Sequence, residues 1–122
     1  MSSTARRLLL PKARRLTLTS QFARVRTEGQ NVRGRLLILG FLRTERTEGC
    51  QAGFITSKRI GGAVVRNRVR RRLRDVVRTQ QGRLRDGFWF VVIARPAAAR
   101  ASYRALKDEW LRLAERASIL AP

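Results

Sequence analysis

Histidine is absent from this 122-residue chain, cysteine occurs once, and only 8 residues are acidic. Each shortage excludes some chemistry. Without histidine there is no Ser-His-Asp or Cys-His nucleophile and no His-based zinc site. With Cys50 alone there is neither an internal disulfide nor a CxxC metal site, a usage that fits a reducing cytosol. Cys50 reads as a plain free thiol beside a turn. The acids are scattered, and only Asp108 and Glu109 are adjacent. On a helix those two point about 100° apart, whereas a two-metal nuclease needs several carboxylates converging on ions about 4 Å apart. Asp86 reads as a turn former rather than a contact to hydrated Mg²⁺. No apolar run approaches the roughly 20 residues of a membrane span. Repeats, low-complexity tracts and Pro/Gly/Ser linkers are also missing, so nothing divides the chain into two domains.

Positive charge is abundant. The chain holds 28 Lys+Arg and a formal charge of +20, with a pI near 12.0 in a mass of 14.0 kDa. A compact domain with that self-repulsion calls for a polyanion, either nucleic acid or an anionic membrane. Arginine outnumbers lysine 25 to 3, and its planar fork suits bidentate phosphate contacts and stacking on bases. At 43% hydrophobic residues, one modest core is affordable. Met1 to Arg15 is basic and acid-free, and Leu8 to Leu10 is too short for a secretory segment. Residues 1–9 therefore read as a flexible basic arm and residues 10–122 as a single domain.

Periodicity and punctuation predict the elements. A helix is expected over Thr19 to Glu28, capped by Thr19 or Ser20 and stopped at Gly29. A brief extended piece follows at Gln30 to Arg33. Arg35 to Leu42 reads as a strand covered on both faces, Thr44 to Gly49 as an exposed turn, and Gln51 to Ser57 as the antiparallel partner strand. A long helix is expected from Gly62 to Thr79, a loop from Gln80 to Gly87 and a buried strand from Phe88 to Ala94. Pro96 marks a boundary. A last helix is expected from Ala98 to Ala117, with Tyr103, Leu106, Trp110, Leu113 and Ala117 on one face. The result is an α+β domain with helices packed on one sheet. Trp89 and Trp110 read as packing residues.

The most informative segment runs from Lys58 to Arg74. Six of the nine residues from Arg66 to Arg74 are arginine, yet apolar periodicity persists. At 100° per residue, Val65, Val69, Leu73 and Val76 fall within roughly 40° of one line, and Asn67, Arg70, Arg71, Arg74 and Arg78 within roughly 80° of the opposite line. Arg66 and Arg68 occupy the two flanks, with Arg66 at the edge of the core. A merely solvated face would interleave signs, whereas Arg66, Arg70 and Arg74 stack like charges at i,i+4 spacing with only Asp75 to offset them locally. Asn67 among the arginines can read a base edge or a 2′-hydroxyl.

Here the chain resembles the protein subunit family of bacterial ribonuclease P. The family pattern is met by Ile60, Ala63, Arg66, Asn67, Arg68, Val69, Arg70, Arg71, Leu73 and Arg74. Gly53 to Ile60 resembles the strand leading into that helix, and Arg15, Leu16, Phe22, Val25 and Gly29 match the first-helix pattern. The likeness runs from Leu10 to Leu120. It implies a four-stranded sheet with three helices in the order αβββαβα, similar to the second domain of ribosomal small-subunit protein five, with a left-handed βαβ crossover.

The resemblance further implies a protein that assists Mg²⁺-dependent removal of the 5′ leader from precursor tRNA. The chemistry belongs to a catalytic RNA partner, which also holds the Mg²⁺; no metal is expected to bind the protein tightly, and the protein is not expected to act alone. A cytoplasmic location is expected, with neither a membrane nor an obligatory protein partner. Arg66, Asn67, Arg68, Arg70, Arg71 and Arg74 would form the RNA-binding face, with Lys58 and Arg59 at its entrance. Phe22 would line a leader cleft, either as a stacking platform or as a core residue. Two positions depart from the family pattern: Arg26, where an aromatic is frequent, and Gly62, where asparagine is common. Arg26 would replace stacking with a phosphate or cation–π contact. A general RNA-binding protein on the same fold and a self-sufficient nuclease are the competing classes.

Overall fold

The computed structural model describes residues 15–44 and 49–121. The expected N-terminal arm and most of the expected turn between Thr44 and Gly49 lie outside the described residues. The chain runs α1 (Thr19–Glu28), β1 (Gln30–Arg33), β2 (Leu37–Arg43), β3 (Cys50–Ile55), α2 (Ala63–Thr79), β4 (Phe88–Ala94) and α3 (Tyr103–Arg116). Short 3₁₀ turns occupy Lys58–Ile60, Gln81–Arg83 and Pro96–Arg100. The order is αβββαβα, as the family resemblance implies.

The four strands lie in the order β1-β2-β4-β3. The segment expected to return antiparallel beside β2 instead forms β3, which runs parallel to β4, while β4 is antiparallel to β2. The physical reason lies in the connection that follows. After β3 the chain enters α2, whose 17 residues span about 25 Å at 1.5 Å each. That helix returns the chain to the end of the sheet where β3 began, so the next strand runs in the same direction. β4 then inserts between β2 and β3, paired along both edges, with Phe88, Phe90, Val92 and Ala94 buried beneath the helices and Trp89 and Ile93 half-buried on the other face.

Helices α2 and α3 seal one face of the sheet. Val69, Leu73, Val76 and Val77 from α2 join Leu106, Trp110 and Leu113 from α3, over Leu37, Leu39, Phe90 and Val92. Trp110 is fully buried, with its ring 6.1 Å from that of Phe90, which is the packing role expected of it. α1 lies on the other face over a smaller cluster of Leu16, Val25 and Val91, flanked by Phe22, Leu42 and Trp89. Trp89 is half-buried there, with the Arg24 guanidinium 5.3 Å from its ring.

Two helix starts differ from expectation. α1 is preceded by Leu18, and neither Thr19 nor Ser20 caps it; Gln21 Oε1 instead accepts from the N–H groups of Thr17 and Leu18 at 3.0 and 2.9 Å. α3 begins at Tyr103 rather than near Ala98, because Ser102 Oγ accepts from Ala105 N–H at 3.1 Å and sets the first turn there. Pro96–Arg100 is a separate 3₁₀ turn. The sequence pattern also gave no warning of Glu109. This carboxylate is buried, and its Oε2 accepts from the N–H groups of both Leu36 and Leu37 at 2.7 Å, pinning the β1–β2 turn to α3. A Cβ at Gly34 would stand 2.4 Å from that oxygen, so the turn needs glycine.

Candidate nucleic-acid interface

The apolar stripe of α2 faces the core, so its opposite side faces outward. Val69, Leu73 and Val76 are fully buried and Val65 is half-buried. Asn67, Arg70, Arg71 and Arg74 border one shallow depression of about 450 Å³ together with Val64, which is 79% exposed. Arg70 is the organised member of the group: it donates to Asn67 Oδ1 at 3.0 Å and to the hydroxyl of Thr56, just after β3. Asn67 thus spends its carbonyl oxygen orienting a guanidinium. Partial burial, with the neighbouring charges of Arg15 and Arg70, lowers the pKa of Arg74. Cations crowded to that degree favour a polyanion arriving among them.

The remaining expected residues sit around this centre. Arg66 is half-buried with its Nε enclosed, consistent with a place at the edge of the core. Arg68 turns toward the Pro96–Arg100 turn and donates to the Ala99 carbonyl at 3.2 Å, and Arg72 does the same to Ala101 at 3.1 Å. Arg68 therefore braces α2 as well as flanking its outer face. Lys58 and Arg59 are exposed on the 3₁₀ turn before α2. Gly62 is the N-cap of α2 and supplies no side-chain cap.

A second surface lies on the other side of the sheet. Between α1 and the strands runs a groove of about 190 Å³, floored by Val25, Ile38, Val91 and Ile93 and rimmed by Thr19, Arg26, Gln30 and Asn31. Among the described residues, no acidic side chain lines it. Phe22 and Arg26 both border it, one turn apart on α1. The Phe22 ring rests on Gly53, where an added Cβ would lie 2.5 Å from Cε1, and a Cβ at Gly40 would meet Val25 at 3.4 Å. Gly53 thus lets α1 approach the sheet closely, while the Gly40 position would admit a Cβ at ordinary contact distance. Phe22 packs in the small cluster and also lines the groove. The strand residues of this groove were not singled out from the sequence. Their signal was the two-residue alternation of Ile38 with Gly40, Val91 with Ile93 and Gly53 with Ile55.

Several of the described acids are engaged elsewhere. Glu28 pairs with Arg24 at 3.2 Å, and Asp86 accepts from Gly49 N–H at 3.0 Å, the loop-forming role expected of it. Asp75 pairs with Arg78 and accepts from the Tyr103 hydroxyl at 2.8 Å. Desolvation pushes the Asp75 carboxyl up, but the hydrogen bonds from Arg78 and Tyr103, with the charges of Arg78 and Lys107, outweigh it and leave the pKa lowered. Among the described residues, no three His, Cys, Asp or Glu side chains gather as a metal site, and no helix is long and apolar enough to cross a membrane.

Comparison with known proteins points the same way. The chain is similar to the ribonuclease P protein component of Acidothermus cellulolyticus, 43% identical over 110 residues that cover 88% of this chain and 91% of the relative. It is 37% identical to that of Symbiobacterium thermophilum over 111 residues, covering 91% and 96%. The fold superposes on the ribonuclease P protein of Staphylococcus aureus with a TM-score of 0.83 at 22% identity, covering 89% of this chain and 99% of the other. For the Thermotoga maritima protein the TM-score is 0.76 at 24% identity, covering 84% and 96%. The family model described as Ribonuclease P matches residues 10–118, and the chain therefore belongs to the bacterial ribonuclease P protein family, whose work is tRNA processing.

Proposed function

We propose that this chain binds the catalytic RNA of ribonuclease P through the outer face of α2 and holds the 5′ leader of precursor tRNA in the groove beside α1. The observation that carries this reading is the pairing of two surfaces that no described acid lines: an arginine-bordered depression around Asn67 and an apolar groove rimmed by Arg26. Arg71 and Arg74 are exposed and meet phosphates directly, Arg70 is held in place by Asn67 and Thr56, and Arg66 and Arg68 extend the face at its flanks. Lys58 and Arg59 stand at its entrance. Each phosphate neutralised releases counterions, which offsets the repulsion between two RNAs brought together.

In the groove, Phe22 offers a ring edge and Arg26 a cation to an unpaired leader strand, a combination suited to single-stranded RNA. Holding the leader adds binding energy for precursor over mature tRNA, which favours substrate entry and product exit. The protein supplies position and charge; the RNA supplies the Mg²⁺ sites and the bond-breaking step. The reading places the complex in the cytoplasm and requires no further protein.

The test is precursor-tRNA cleavage at low Mg²⁺ with catalytic RNA alone, protein alone and both together. Activity confined to the mixture is expected. Cleavage by protein alone would make it a nuclease in its own right, and RNA binding without stimulation would make it a general RNA-binding protein. Arg71→Ala should weaken binding to the catalytic RNA and reduce the log–log salt slope by about 0.9 for one lost phosphate contact. An unchanged slope would remove Arg71 from the interface.

A further inference from the structure

A further cationic surface lies apart from both the α2 face and the groove. The turn between β1 and β2 packs against α3 and leaves a shallow depression of about 540 Å³. Arg33 and Arg35 border it from the turn, and Arg112 and Arg116 border it from α3. All four arginines are exposed. No described residue around it also lines the groove or the depression on α2. α3 lies on the opposite face of the sheet from α1, and it packs toward β1 and β2 while α2 packs toward β3. The depression therefore stands across the sheet from the groove and at the far edge from the arginines of α2.

Its frame is fixed. Glu109 Oε2 accepts from the N–H groups of Leu36 and Leu37, Gly34 N–H donates to the Leu37 carbonyl at 2.7 Å, and Arg95 donates to the Gly34 carbonyl at 2.9 Å. Arg33 and Arg35 flank that pinned glycine. Arg112 and Arg116 stand one turn apart, about 6 Å along the axis of α3. Arg112 is 3.5 Å from Glu109 Oε1. Among the described residues Arg35 and Arg116 form no ion pair, although the exposed Asp108 borders the same depression. A cation at Arg116 suits the C-terminus of α3, but that gives no reason for Arg35 across from it.

We propose that this depression is a further RNA contact, in which a phosphodiester backbone lies along the rim from Arg35 to Arg116. The buried Glu109 carboxylate repels a compact anion seated deep among these residues, which makes free phosphate a poor occupant. A strand on the rim meets the guanidinium groups and stays clear of that carboxylate. Because turn and helix are already fixed, binding orders only side chains. The site depends on neither role proposed for the α2 face or the groove, and it gives the protein a hold on RNA that those two surfaces do not reach. The backbone belongs to the catalytic RNA or to the body of the tRNA, which present the same chemistry.

The test uses the full chain as wild type, as the pair Arg35→Ala with Arg116→Ala, as the same pair changed to lysine, and as Asp108→Asn. Two affinities are followed across salt: that of the protein for catalytic RNA, and that of the assembled holoenzyme for precursor and mature tRNA. The alanine pair should weaken one of them about tenfold, the scale of two exposed charge contacts. The log–log salt slope of that binding should fall by about 1.4 to 1.8. The lysine pair should recover most of the loss, and Asp108→Asn should tighten the same binding about twofold, since it removes a negative charge from beside the strand. A loss for catalytic RNA places its backbone here, and an equal loss for precursor and mature tRNA places the tRNA body here; either supports the proposal. A loss confined to leader-bearing tRNA would overturn it by joining these arginines to the groove. Unchanged affinities and slopes in both measurements would also overturn it.

Discussion

The two faces of the sheet are built to different degrees of completion. On one, α2 and α3 bury a continuous core from Leu37 to Trp110. On the other, α1 covers only a small cluster around Val25 and Val91 and leaves an open groove. The sealed face gives rigidity to what lies outside it, since the arginines of α2 are aimed by the burial of Val69, Leu73 and Val76 beneath them. The half-covered face keeps apolar surface in reserve. Placing the larger core under the helix and the smaller one under the groove lets one 122-residue chain hold a fixed cationic surface and an accessible apolar one.

This contrast is open to direct attack. The largest effect is expected at Leu73, which is fully buried under α2. Leu73→Ala should cost about 3 kcal/mol in urea unfolding, the usual scale for a cavity of that kind. A cost below about 1 kcal/mol would mean that the sealed face is no better packed than the open one. Gly53→Ala probes the other side. Its new Cβ would lie 2.5 Å from the Phe22 ring, so the ring must move. The expected result is a loss of precursor-over-mature preference with catalytic-RNA binding unchanged. Equal losses in both would show that the groove and the arginine face are not separable.

A smaller effect sharpens the link between α2 and α3. The lowered Asp75 pKa means that its bonds to Arg78 and Tyr103 stabilise the fold above the carboxyl's ordinary value of 3.8, and that this contribution is lost as pH falls through the lowered folded-state value. Because the side chain is 41% exposed, the contribution should stay under about 1 kcal/mol. Asp75→Asn should therefore be slightly less stable than wild type at neutral pH, with the difference closing in strong acid. A difference that persists undiminished into strong acid would show that packing rather than charge is at work.

Much of this architecture was legible in the order of residues. α1 spans Thr19–Glu28 and β4 spans Phe88–Ala94, both as periodicity predicted, and α2 begins one residue later than expected. The burial of Val69, Leu73 and Val76 opposite Asn67, Arg71 and Arg74 follows from a 3.6-residue repeat alone. Local signals of this kind carry their own geometry, because neighbours in a helix are neighbours in sequence.

What depends on distant partners was not legible in that way. A strand's apolar pattern does not name its neighbour, so β3 pairs parallel with β4 where the sequence order suggests an antiparallel partner of β2. Glu109 stands out in the sequence only as the neighbour of Asp108, whereas in the fold its Oε2 accepts from the N–H groups of Leu36 and Leu37 at 2.7 Å. Phe22 reads from the sequence as either core or platform, and only the fold shows that its ring packs over Gly53 while also lining the groove. Composition and periodicity by themselves determined that this chain is strongly basic and carries an arginine-faced helix, because charge and helical repeat are properties of consecutive residues. Only the tertiary structure decided the strand order, the groove and the depression between the β1–β2 turn and α3, because each of these is made by residues that meet across elements and share no neighbourhood in the chain.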